Sequence, residues 1–289
     1  MDFTVHRYRS ACGTLDLAAR IWEAPGPELL LMHGLTRNGA DFEPLARHLA
    51  GQYRLIAPDQ RGRGLSDRDP DPANYRPDIY AADMFALLDD LGIPSVTTIG
   101  TSMGGLIALV MNAIRPQVFD ALVFNDVGPE LDPAGLARIG GYVGPSGPMQ
   151  SWTDAAERCR AINGDALPYL DDADWLAFAH RTCVENADGT IDFDYDPAIA
   201  QAFADADPTA ETPDAWPLWA ALDGKPVLVV RGANSDLLSR QTFVAMAARH
   251  SGPYASVEVP RAGHAPLLDE PEALAAIVPF LKEHSGKHG

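Results

Sequence analysis

The stretch TTIGTSMGGL, Thr97–Leu106, limits the folds open to this chain more than any other. A β-prone apolar run passes through a serine into a glycine-opened, Ala/Leu-rich helical pattern with almost no room to turn. A corner that only reversed the chain would be satisfied by Asn-Gly or Asp-Gly. Here Gly100 and Gly104 stand two residues to either side of Ser102. That spacing suits a residue held in a strained backbone conformation, whose close neighbours must lack a Cβ. The corner therefore predicts a buried strand, then Ser102, then a helix packed back on the sheet. The hydroxyl projects from the carboxyl end of the sheet, and the Met103 N–H stands at the helix N-terminus, where the helix dipole favours negative charge.

The rest of the chain repeats this alternation. Phe3–Ser10 and Leu15–Glu23 are β-rich and joined through Gly13, which predicts an opening hairpin. Leu29–Gly34, Tyr53–Asp59, Ser95–Gly100, Phe119–Asp126 and Pro226–Gly232 are short apolar runs, as expected of strands buried on both faces. Helical spacing lies between them at Asp41–Ala50, at DIYAADMFALLDDLG and from Gly104, and later at Thr242–His250 and Pro271–Lys282. The segment ASVEV supplies a last strand. The fold class is α/β: a mostly parallel central sheet with helices on both faces. There is no internal repeat.

Between Gly128 and Asp223 the alternation stops. Helical patterns dominate (TDAAERCRAI, DADWLAFAHRTCVEN, PDAWPLWAAL), and four of the five tryptophans fall there: Trp152, Trp175, Trp216 and Trp219. This predicts a core at 1–127, a helical insertion at 128–222 placed after the sixth strand, over the end of the sheet, and a return to the core at 223–289.

A net charge of -18 argues against nucleic acid and anionic membrane surfaces as partners. The N-terminal MDFTVHRYRS lacks an apolar signal core, and no eighteen-residue apolar run occurs, so neither a cleaved signal nor a membrane span is expected. Cys12, Cys159 and Cys183 are widely spaced, which suits free thiols in a reducing cytoplasm. No metal-ligand spacing is present.

A serine needs a base to act as a nucleophile near neutral pH, and the base needs an orienting carboxylate. His264, in RAGHAP between the last strand and the last helix, falls on the same sheet edge as Ser102. Two carboxylates reach that edge: Asp236, in the loop after VLVVRG, and Asp126, at the end of LVFND. Asp236 is favoured. Asp126 is the alternative acid, its other role being to tie down the start of the insertion.

The set HGLTRN, DQRGRGLSD, GTSMGG, RGANSDLL and GHAPLLDEP resembles the α/β-hydrolase superfamily, specifically small bacterial serine esterases and hydrolases with a helical cap. The resemblance covers nearly all of the chain outside the insertion. It implies Ser102 as nucleophile, His264 as base and Asp236 as acid, with the Leu35 and Met103 amides as oxyanion hole. His33 would brace the oxyanion loop, and Asp59, Arg61 and Gly62–Gly64 would brace the neighbouring loop. No metal or organic cofactor is implied. The elbow serine disfavours haloalkane dehalogenase and epoxide hydrolase chemistry, which use aspartate there.

The expected reaction is hydrolysis of a small, largely apolar carboxylic ester or lactone. Trp152, Trp175, Trp216, Trp219 and Tyr142 are candidate pocket residues, with Phe178 beside them. Carbon–carbon bond hydrolysis of aromatic ring-cleavage products is the alternative, weakened by Thr101, where those enzymes carry Asn. A non-turnover ligand receptor on the same fold is the alternative outside enzymes.

Overall fold

The computed structural model describes residues 2–201 and 214–286. Along the chain run strands β1 (Thr4–Arg9), β2 (Asp16–Trp22), β3 (Glu28–Met32), β4 (Arg54–Asp59), β5 (Val96–Thr101) and β6 (Phe119–Asn125). The short strands β7 (Cys183–Glu185) and β8 (Ile191–Phe193) follow, then β9 (Val227–Gly232) and β10 (Tyr254–Val259). The helices are α1 (Glu43–Leu49), α2 (Pro77–Asp90), α3 (Met103–Ile114), α4 (Pro133–Tyr142) and α5 (Trp152–Asn163). They continue as α6 (Asp172–Thr182), α7 (Trp216–Ala220), α8 (Arg240–Ala248) and α9 (Pro271–His284).

Eight strands form one sheet in the order β1-β2-β4-β3-β5-β6-β9-β10. The opening hairpin supplies its antiparallel edge, with β2 antiparallel to both β1 and β4, and the remaining pairs are parallel. The continuous apolar runs arise because each central strand feeds two cores. Leu30, Met32, Leu122, Phe124, Val227 and Val229 face the core that includes Met84, Leu88 and Ile107 from α2 and α3. Their neighbours Leu29, Leu31, Ala121, Val123, Leu228 and Val230 face the core built with Leu45 and Leu49 of α1 and Ile277 and Leu281 of α9. Each fully buried aliphatic side chain contributes about 1.5–3 kcal/mol relative to exposure.

The chain between β6 and β9 adds no strand to this sheet among the described residues. Helices α5 and α6 pack with the β7–β8 hairpin around Cys159, Trp175, Phe178 and Ile191. The short hairpin adds to the helix-dominated pattern expected of this stretch. Its signal was the turn at Asp188-Gly189, where Gly189 takes φ 83° and the Asn186 N–H donates to the Thr190 carbonyl at 2.7 Å. At the far end of the insertion, α7 packs on the sheet: Trp219 is buried 5.5 Å from the Phe124 ring. Side-chain bonds seat the insertion on the core, from Asn38 Nδ2 to Arg181 O and Asp194 Oδ2, and from the Tyr75 hydroxyl to Asp196. Among the described residues, no helix is long and apolar enough to cross a membrane.

Candidate active site

Ser102 sits between β5 and α3 with φ 52° and ψ -115°, a conformation non-glycine residues rarely adopt. Its N–H donates to the Asn125 carbonyl at 2.9 Å, tying the corner to the end of β6. A Cβ on Gly100 would lie 2.6 Å from the Gly104 backbone, and one on Gly104 only 2.0 Å from the Met32 carbonyl oxygen. The strain at the serine is therefore held by the close packing of α3 against β5 and β3.

The hydroxyl is in place for proton transfer. His264 Nε2 lies 2.9 Å from Ser102 Oγ, and His264 Nδ1 lies 2.7 Å from Asp126 Oδ2. The imidazole is 7 % exposed and the Asp126 carboxylate wholly buried, so water does not compete for their hydrogen bond. Asp126 Oδ1 accepts the Gly232 N–H at 2.8 Å, and Oδ2 also accepts the Ser235 hydroxyl at 2.6 Å.

This geometry corrects the favoured acid. Asp236 does not contact His264; its carboxylate receives Arg138 Nε and Nη2 at 2.5 and 2.9 Å. Arg138 holds the Asp236 carboxyl below its usual pKa. The reason lies in the register of β6 and β9. Asn125 pairs with Val230, which leaves Asp126 at the end of β6, in the gap where the His264 loop descends. Asp236 lies beyond β9 in a loop backed by α4, and the preceding residue, Ser235, fills the space beside Asp126. The signal in the sequence was that Asp126 directly ends an apolar strand, whereas Asp236 stands several residues past one.

Asn125 was missed by sequence reasoning. Its Nδ2 donates to Thr101 Oγ1 at 3.1 Å and to Pro266 O at 2.8 Å, joining the serine strand, the acid strand and the histidine loop. The bracing residues stand where the loop pattern implied. His33 is fully buried, with Nδ1 bonded to Gly34 O at 2.7 Å and Nε2 accepting the Gln60 N–H at 3.1 Å. Burial lowers its pKa to about 3, which keeps the ring neutral and fits this pairing of one donor with one acceptor. Asp59 accepts from Arg20, Gly39 N and Leu65 N, while Arg61 pairs with Asp69 and Asp83. Arg63 Nε donates to Leu35 O at 2.9 Å, so this network reaches the oxyanion loop.

Two cavities meet at Ser102. One, of about 200 Å³, is apolar, bordered by Leu35, Met103, Leu106, Val127, Leu131, Leu136 and Leu237. The other, of about 50 Å³, is the more polar of the two, its mixed lining including Thr36, Arg37, Asp41, Tyr142, Asn163 and His264 beside Pro266 and Leu267. Leu35, Ser102 and Ile139 border both. The expected oxyanion residues Leu35 and Met103 thus lie beside the serine, and Tyr142 borders the polar side.

The four insertion tryptophans do not line either cavity. Trp175 and Trp219 are 2 % and 1 % exposed and serve as core packing. Trp152 stacks on His180 at 3.9 Å, and Trp216 lies under Arg249 with its indole N–H on Glu130. Rings this large are drawn to apolar cores, so they close the insertion's own interior and the α7 seat, while leucines and Ile139 form the pocket wall. Among the described residues, no cluster of three or more His, Cys, Asp or Glu side chains is arranged to hold a metal ion.

A family model described as the alpha/beta hydrolase family matches residues 29–277. The chain is 37 % identical over 280 residues to a 3-hydroxybutyrate-oligomer hydrolase from Cupriavidus necator, covering 94 % of each chain. It is 30 % identical over 257 residues to a 2-(acetamidomethylene)succinate hydrolase from Mesorhizobium japonicum, covering 89 % of this chain and 88 % of the relative. The crystal structure of an alpha/beta hydrolase from Novosphingobium aromaticivorans is similar at 44 % identity and a TM-score of 0.89, over 97 % of this chain and 98 % of that one.

Proposed function

The chain belongs to the alpha/beta hydrolase family, and we propose that within it this protein is a serine ester hydrolase acting on short esters of small hydroxy acids. The observation that carries this reading is the buried hydrogen-bonded line Ser102–His264–Asp126, opening on an apolar cavity on one side and a polar one on the other.

In this reading Ser102 Oγ attacks the ester carbonyl while His264 takes its proton. The Leu35 and Met103 amides stabilise the oxyanion, a contribution of about 3–4 kcal/mol per donor in comparable sites. Asp126 fixes the imidazole tautomer and stabilises its charged form. His264 then protonates the departing alkoxide, and in the second half it activates the water that releases the acyl group. The leaving oxygen must face His264, which borders the polar cavity. The acyl group then occupies the apolar cavity beneath Leu131 and Leu136. A substrate with a short apolar acyl part and a polar alcohol part fits both. The Cupriavidus necator relative, named a 3-hydroxybutyrate-oligomer hydrolase, supports this choice. The free thiols Cys12, Cys159 and Cys183 support a reducing cytoplasm as its location.

The test is turnover of p-nitrophenyl butyrate, a linear 3-hydroxybutyrate dimer, a lactone of matched size and a vinylogous diketone. Purified parent and Ser102→Ala are compared. We expect the parent to cleave the linear esters fastest, and Ser102→Ala to lose about 10³-fold or more. Preference for the lactone or the diketone would replace the linear ester as substrate. Binding of the panel without turnover would end the enzyme reading.

A further inference from the structure

Resting on the ester-hydrolase reading, we infer that Arg37 binds the free carboxylate of the departing hydroxy acid, so that the enzyme removes units from the carboxyl end of an oligoester. Arg37 follows the oxyanion-loop residue Leu35 by two positions and borders the same polar cavity as Ser102 and His264.

The guanidinium is held in place before any ligand arrives. Its Nη1 lies 3.0 Å from Asp41 Oδ1 and 3.4 Å from Thr182 Oγ1, and its plane lies over the Phe178 ring at 4.0 Å. Its side chain is 16 % exposed. The bonds it makes to described residues run through Nη1, which leaves Nη2 and Nε as donors for a ligand. Asp41 offsets part of the charge. Arg181 lies over the same Phe178 ring at 6.0 Å, so a second cation stands near Arg37, with Asp41 and Glu43 among the carboxylates around the pair. A rigid, partly desolvated guanidinium is suited to a planar carboxylate.

The direction of cleavage follows from the placement of His264. The ester C–O bond breaks as the acyl carbon bonds Ser102 Oγ, and the serine proton passes through His264 to the leaving oxygen. That oxygen and Arg37 therefore share the polar cavity. In a 3-hydroxy acid two carbons separate the hydroxyl oxygen from the carboxylate carbon. A carboxylate on Arg37 thus belongs to the unit being released, and water then frees the acyl part from Ser102. An internal unit, whose carboxyl is esterified, brings no anion to this position.

The experiment compares kcat/KM for a linear 3-hydroxybutyrate dimer as its free acid and as its methyl ester, both on one preparation. Taking the ratio cancels differences in folded fraction among parent, Arg37→Gln and Arg37→Lys. We expect the parent to prefer the free acid by about tenfold or more, chiefly through KM. Arg37→Gln should bring the ratio near one, with Arg37→Lys between. A trimer blocked at its carboxyl end should be cleaved more slowly than one blocked at its hydroxyl end. Equal parent rates on acid and methyl ester, or an unchanged ratio in Arg37→Gln, would overturn the assignment of Arg37 and leave the ester-hydrolase reading standing. A parent that cleaves p-nitrophenyl butyrate but neither dimer would overturn the hydroxy-acid substrate, and this inference with it.

Discussion

Asp126 Oδ2 receives both the His264 imidazole, at 2.7 Å, and the Ser235 hydroxyl, at 2.6 Å. Ser235 Oγ in turn accepts the Leu237 and Leu238 amides at 3.2 and 3.1 Å, so the loop after β9 is folded around this carboxylate. The next side chain, Asp236, is turned away toward Arg138 on α4, where it fastens the insertion to the core. Two adjacent loop residues thus serve different ends, one supporting the histidine's partner and the other tying the insertion to the core.

The first prediction separates the two acids. Asp126→Asn should lower kcat on a p-nitrophenyl ester by about 10⁴-fold, the cost of losing tautomer control. Asp236→Asn removes an exposed-side ion pair and should change kcat by less than about tenfold. Steady-state kinetics of the two variants decides the matter, and the opposite ranking would return the acid role to Asp236.

A second prediction concerns Asn125. Asn125→Ala removes the donor shared by Thr101 Oγ1 and Pro266 O. An unpaired buried carbonyl costs about 1–3 kcal/mol, and here the cost falls on the loop that carries His264. We expect a Tm several degrees lower and kcat reduced more than KM is raised. Unchanged kcat in a folded variant would show that Asn125 only supports the fold.

The sheet and the serine corner were legible in the sequence because both are written in local patterns. Apolar runs such as LLLM and FDALVF record burial on two faces, and Gly100 and Gly104 record a close approach of helix to strand. The acid was not legible, because Asp126 and Asp236 both reach the same sheet edge. Only the β6–β9 register and the Ser235 hydroxyl distinguish them. The pocket wall was misassigned for a similar reason. Trp175 and Trp219 have the size expected of a binding surface, yet the insertion spends them on packing, and that choice depends on contacts far apart in the chain.

The third prediction tests that division of labour. Trp219→Ala empties a fully packed site against Phe124 and should cost about 3–5 kcal/mol of stability, with little change in acyl-chain preference. Leu136→Phe narrows the apolar cavity instead. It should lower kcat/KM for octanoyl relative to acetyl esters by about tenfold, as one or two lost methylene sites would. Thermal melts and a p-nitrophenyl ester series read the two effects separately. A changed chain-length profile in Trp219→Ala would place that ring back at the pocket.

The last prediction is a pH dependence of stability at the seam between insertion and core. Asp194 follows β8 and accepts Asn38 Nδ2 at 3.1 Å. Burial, assisted by the nearby Asp59 charge, raises its carboxyl from 3.8 to about 6. The folded protein therefore holds this proton more tightly than the unfolded chain does. Below the unfolded value both states are protonated and the favourable difference is complete. It is lost as pH rises through the folded value, and above that the folded state carries a buried charge at constant cost. Asp194→Asn keeps an acceptor for Asn38 and removes the charge. Its Tm should match the parent near pH 4, rise above it between pH 4 and 6, and stay higher by a few degrees at pH 8, for a gain of up to about 3 kcal/mol. Thermal melts of both proteins across that range are the measurement. A Tm difference that does not vary with pH would show that the charge on Asp194 is not what strains the seam.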